Sequence, residues 1–503
     1  MKKLQELVRI VSRIKTQKIE LIGTNNTKYG KLVTQLYEGI ASGKYQSDKE
    51  AAIDIYGSDY TPNNYAHLKK ALNKKLLNTL FFIDVSTVHL TTFQKAHIAA
   101  ERDRSAIRIL LARGAKKLSI GLAEKLLKRS IKFELTEISL ELARILLRHY
   151  RSLDINPTKE AYYDKIVTET LNIFLAEIAV DRWYGLSIKT LANAKITNAS
   201  KVKIIANYVQ EIHKIFPQQA SFKIGRFAYT ILVIEKEIQN NHHGIIDVCQ
   251  SAIAYFEGKK AITSKELIAG FYLDLLAAYI PLKRFTEGKK NFQKAFKYLI
   301  EGSINWYIAL DYYFLLSMHT ANYDKAVTLL HQAIHHPSFK TLFPEFKELW
   351  KVYQAYLTYL QIVKLVDKKE TVPFKVAKFM NEVPIFSKDK KGVNVAIIII
   401  QILFLVAQGK EAKIIDKVES LRMYVHTHLR NNDSLRSNIF IKMLLKMVQS
   451  NFHKNGTIRR TKTLLDKLKA TPLASKRQSK YVEIIPYETL WEISLGFLNN
   501  RAF

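Results

Sequence analysis

Apolar positions recur at steps of three and four along most of this chain. In "YAHLKKALNKKLLNTLFFI" (65–83), Tyr65, Leu68, Leu72, Leu76 and Leu80 make one stripe, and Lys69, Lys70, Asn73, Lys74 and Asn78 fall largely opposite. That predicts an amphipathic helix with a basic outer face. Upstream, "SDKEAAIDIYG" (47–57) opens on Ser47, has Glu50 three residues later and closes on Gly57, which predicts a short helix with a capping box and a glycine stop. A helix-turn-helix DNA reader is disfavoured here, because "GSDYTPNN" is longer than that motif's connection of ~3–4 residues and "LFFI" calls for burial.

From about residue 92 the pattern predicts helices in pairs. The stretch 99–150 divides at Gly114 and near Phe133 into three amphipathic helices. Residues 266–302 show an apolar helix, a polar joint at Arg284 to Gly288 and a second helix. The same grammar returns with joints at Ala321-Asn322-Tyr323, at Gly409 and at Gly456. Helices that are apolar on one side and cannot bury it alone describe a stacked array. A break is expected at 366–392, where two prolines and seven lysines interrupt the pattern. The final "YVEIIPYETLWEISLGFLNNRAF" is apolar and aromatic, and predicts a docked cap.

Within this pattern, "NYDKAVTLLHQAIHHP" (322–337) and "QGKEAKIIDKVESL" (408–421) resemble the joint and second helix of tetratricopeptide repeats. Joints near residues 243, 285, 323, 409 and 456 imply units of about 38–47 residues, longer than that family's ~34 and closer to HEAT-type spacing. The expected fold is therefore all-α: an irregular, tetratricopeptide-like helix-pair solenoid. A small N-terminal helical domain (1–90) leads into a repeat array (91–365), a hinge or long joint (366–392), and further helix pairs with a C-terminal cap (393–503).

Composition agrees. In 503 residues there are only 18 Gly and 10 Pro, so long helices with short connections are expected. The most apolar run, "VNVAIIIIQILFLVAQ" (393–408), is shorter than the ~20 residues that span a bilayer and predicts a buried helix rather than membrane insertion. Cys249 is the single cysteine, excludes an internal disulfide and is expected in the core. With no apolar signal block near the start, the expected location is the cytoplasm.

The net charge of +33 is uneven: residues 1–150 carry +13, 151–350 carry +5 and 351–503 carry +15. Residues 457–480 hold Arg459, Arg460, Lys462, Lys467, Lys469, Lys476, Arg477 and Lys480 against one acid, Asp466. These eight are the candidate contacts to an anionic partner. A Lys-rich composition offers a competing explanation, in which the same charge only maintains solubility.

Catalytic motifs are missing. No phosphate-binding glycine loop, G-x-G-x-x-G, G-x-S-x-G or H-E-x-x-H occurs. His331 and His335 have the i, i+4 spacing of metal ligands, but a helix C-terminus before Pro337 accounts for them better. His426 and His428 point to different helix faces. The aromatic clusters at 304–314 and 349–361 are expected to fill the core rather than stack bases. Together these readings predict a non-enzymatic cytosolic interaction protein, with no cofactor or metal, that holds an acidic protein partner. Sequence-independent binding of DNA or RNA by the basic ends is the alternative.

Overall fold

The computed structural model describes residues 5, 27–57, 60–80, 90–193, 196–216, 218–367, 374–381, 393–410, 412–418, 423, 435–471, 473 and 483–498. Among them there is no strand. The chain divides into two compact units, Met1–Phe174 and Leu175–Phe503.

The first unit holds α1 (Lys28–Ala41), α2 (Asp48–Tyr56), α3 (Pro62–Leu80), α4 (Thr92–Ala112), α5 (Lys116–Lys132), α6 (Thr136–Ser152) and the start of α7 (Pro157–Ala192). In α3 the expected stripe is buried, with Leu68, Leu72 and Leu76 fully enclosed against Val33, Leu36 and Ala51. Each such leucine contributes about 1.5–3 kcal/mol. Ser47 caps α2 through the amide of Glu50, but the Glu50 carboxylate accepts from Gln46 N (2.8 Å), so the reciprocal bond closes one residue before the cap. The α2–α3 connection is shorter than the pattern predicted, because Pro62, needing no amide partner, starts α3.

The second unit continues with α8 (Asn198–Ile215), α9 (Phe222–Ile238), α10 (His242–Gly258), α11 (Lys265–Tyr279), α12 (Phe285–Phe296), α13 (Ile304–His319), α14 (Tyr323–His335), α15 (Pro344–Ile362), α16 (Val376–Asn381), α17 (Val393–Gln408), α18 (Leu435–Gln449), α19 (Lys454–Ala470) and α20 (Tyr487–Leu498). Within each unit a helix packs chiefly on its neighbours in the chain. This is the serial packing of a helical solenoid. The aromatic clusters are core: Trp306, Tyr307, Trp350, Tyr353 and Tyr356 are all enclosed, and Phe314 stacks on Tyr353 at 4.3 Å. Cys249 is buried, and α17 is enclosed on nearly every side. No helix among the described residues is long and apolar enough to cross a membrane.

One joint recurs. At Gly114, Glu134, Asn240, Lys283 and Ala321 the backbone turns left-handed two residues before the next helix begins. The following amide reaches back five residues, as in Ala115 N to Leu110 O (3.0 Å) and Asn322 N to Ser317 O (2.9 Å). The same bond follows Gly409. This paired closure caps one helix and launches the next. The last joint differs from expectation: left-handed Asn451 and Phe452 make the turn, His453 caps α19, and Gly456 lies inside the helix. The expected hinge at 366–392 lies mostly outside the described residues.

Candidate anion-binding sites

A concentration of positive side chains in a concavity lies in the first unit. Helix α6 buries Ile138, Leu142, Ala143, Leu146 and Tyr150. Its opposite face therefore carries Glu137, Glu141, Arg144, Arg148 and Arg151 at helical spacing. With Arg104 and Arg108 of α4 and Val167 and Phe174 of α7, this face lines a groove of about 720 Å³.

The walls are held from behind. A Glu124 oxygen on α5 accepts from Tyr150 OH (2.9 Å), Lys159 Nζ (3.0 Å) and Tyr163 OH (3.2 Å). Lys159 also lies over the Tyr150 ring at 4.3 Å. One carboxylate thus fixes α5, α6 and α7 in register. Burial opposes ionisation of Glu124, yet the bonds from Lys159 and the two tyrosines outweigh it and lower its pKa.

Inside the groove, Arg104 Nε donates to Glu141 Oε2 (2.5 Å) and Arg108 Nε to Glu141 Oε1 (2.6 Å). Burial would raise the Glu141 carboxyl, but Arg108 and Arg104 prevail and hold it below its ordinary value. Arg151 is paired with Glu160 (2.7 Å) and Asp164 (3.1 Å). Arg144 and Arg148 are exposed and have no acidic partner among the described residues. Five guanidinium groups and no ammonium line this groove. Planar forks of this kind suit carboxylates and phosphates.

Reading for net charge passed over this cluster, although a signal was present. The chain has 58 Lys and 20 Arg, yet eight of those arginines fall within residues 102–151, a tenth of its length. Compositional drift toward lysine does not account for that local reversal.

The eight bases predicted from sequence are placed differently. Arg459, Arg460, Lys462, Lys467 and Lys469 are all exposed on α19, whose inner side is formed by Thr457, Thr461 and Leu468. Arg460 Nη1 donates to Gln449 O (2.7 Å), so it caps the carbonyl end of α18. The remaining four are exposed to solvent. Lys476, Arg477 and Lys480 lie outside the described residues.

Beside α19 lies a charge that sequence reading missed. Arg436 of α18 is buried and donates to Glu483, Glu488 (2.7 Å), Leu468 O (2.8 Å) and Thr471 O (2.6 Å). It thereby ties α19 to the capping helix α20. His319 Nε2 donates to Glu483 O (2.9 Å), and Tyr487 of α20 stacks on Phe440 at 4.5 Å. This network is enclosed and offers a ligand no access.

His331 and His335 stack at 5.2 Å, and α14 ends at His335. No group of three His, Cys, Asp or Glu side chains able to hold a metal occurs among the described residues. The pair His426 and His428 lies outside them. No family model, curated protein or solved structure matches the chain.

Proposed function

We propose that this chain is a non-enzymatic, tetratricopeptide-like interaction protein of the cytosol whose α4–α6–α7 groove holds an acidic segment of a partner protein. The observation that carries this reading is that all five bases lining the groove are arginines, in a chain dominated by lysine. Lysine supplies solubility as well as arginine does. Arginine adds the two-pronged geometry that recognises carboxylates at close range. Leu140, Ile145, Val167 and Phe174 between the charges favour a segment that also carries apolar side chains.

The test is fluorescence anisotropy with a labelled Glu-Glu-Leu repeat peptide across a salt series. Wild type should bind, with affinity falling as salt rises. The double change Arg144→Gln/Arg148→Gln should weaken binding about tenfold or more, since each charge-assisted contact is worth ~1 kcal/mol or more. Equal binding by the double variant would sink the groove assignment.

A second reading, sequence-independent nucleic-acid binding, is favoured by the exposed bases of α19. Labelled DNA and RNA in the same salt series test it, beside a variant with the eight bases of 457–480 changed to Gln. No binding at low salt would remove this reading.

A further inference from the structure

The groove already contains two acids, Glu137 and Glu141 of α6. Glu141 rises from the same face of α6 as Arg144 and Arg148, yet it is turned across to α4. Each of its oxygens takes the Nε edge of a different arginine, Arg104 at 2.5 Å and Arg108 at 2.6 Å. Its side chain is about one-fifth exposed, so it sits in the groove wall rather than on the open surface. Arg108 is far more open, with 60% of its side chain exposed, and makes no other ion pair among the described residues. Within one groove, then, two arginines are occupied by an internal carboxylate and two more, Arg144 and Arg148, face solvent without one.

A clip meant only to join α4 to α6 has no need of this division. The buried residues of these two helices pack with α5 between them in a common core that includes Ala100, Ile107, Ala123, Leu126, Leu142 and Leu146. What Glu141 does achieve, together with Glu101 at 3.3 Å from Arg104, is charge neutralisation of Arg104 and Arg108 while the groove is empty. Two like charges a turn apart on α4, facing two more on α6, repel one another unless an anion lies between them.

We propose that Glu141 is a built-in stand-in for the ligand: in the free protein it takes the place of a carboxylate from the bound acidic segment, and it is displaced when that segment docks. This rests on the groove reading above and deepens it. Arg144 and Arg148 make the first contact with the partner's acids, and Arg104 and Arg108 are then handed from Glu141 to the ligand. The internal acid lowers affinity for any single weak anion. It therefore selects segments with several carboxylates in a row, which can replace it and engage the free pair together.

The experiment measures binding of the labelled Glu-Glu-Leu peptide to the full chain with Glu141→Gln, in low salt. Removing the competitor should tighten binding roughly threefold to tenfold, where a purely structural clip would leave it equal or weaker. In an Arg104→Gln/Arg108→Gln background the gain from Glu141→Gln should vanish, because there is nothing left to compete for. Circular-dichroism melting confirms that each variant is folded. If Glu141→Gln does not fold, Glu141→Asp replaces it: the shorter carboxylate cannot hold both arginines, and tighter binding than wild type is again expected. Wild-type binding with no gain in the folded variant overturns the stand-in role and leaves the groove reading intact. Absence of peptide binding in wild type and variant alike overturns both.

Discussion

Arg436 and Glu483 form a buried two-pronged pair across 47 residues of chain, with Nε to Oε2 at 2.8 Å and Nη2 to Oε1 at 2.6 Å. Burial alone would lower the guanidinium's proton affinity, but Glu483 and Glu488 more than restore it, so Arg436 stays charged in the folded chain. Removing one member leaves the other uncompensated. Arg436→Met should therefore cost about 3–5 kcal/mol in urea unfolding. Adding Glu483→Gln should cost less than the sum of the single changes. Additive losses would show that the two residues act separately.

His319 makes the same corner sensitive to pH. Burial pushes its pKa down, and the nearby Glu483 carbonyl and carboxylates do not offset that. The unfolded chain then binds a proton that the folded chain refuses. Stability from this group is complete above the unfolded value of ~6.5 and is lost as pH falls below it. Between pH 7 and 5.5 the melting temperature should drop, and His319→Gln should flatten that dependence. A slope unchanged by the substitution would place the titration elsewhere.

The recurring left-handed joints predict small gains. Ala321 (φ 56°) and Glu134 (φ 51°) hold a conformation that L side chains adopt at a cost. Ala321→Gly or Glu134→Gly should each stabilise by about 0.5–1 kcal/mol, while Gly114→Ala at φ 77° should destabilise by about 1 kcal/mol. Chemical denaturation of the three variants reads this directly, and a loss on placing Gly at 321 would refute the account.

The two basic regions should be separable. Changing Arg459, Lys462, Lys467 and Lys469 to Gln should leave groove binding of the acidic peptide within about twofold, since these side chains are solvated on α19 and line no part of the groove. A large drop in peptide affinity would mean that the peptide binds α19 instead.

Much of the helical plan was legible because it is local. Helix stripes such as Leu68, Leu72 and Leu76 report which face must be buried, and the joints at Gly114 and near Phe133, Ala321 and Gly409 were found where the pattern broke. Gly456 misled, because a glycine attracts the eye whereas Asn451 and Phe452 turn left-handed without one.

What sequence alone determined about this protein is its helical class, the serial order of its helices and the burial of its aromatic clusters, since period and composition depend only on neighbours a turn apart. Tertiary structure decided which charges matter. Arg436 looks like any other base in the chain, and Arg144 and Arg148 look like an ordinary solvated face. Only when distant helices converge do Glu483 and Glu488 enclose the first, and only across the α4–α6 gap does Glu141 neutralise Arg104 and Arg108 while leaving the other pair open. The worth of a charge is set by its surroundings in space, which the spacing of residues along a chain does not record.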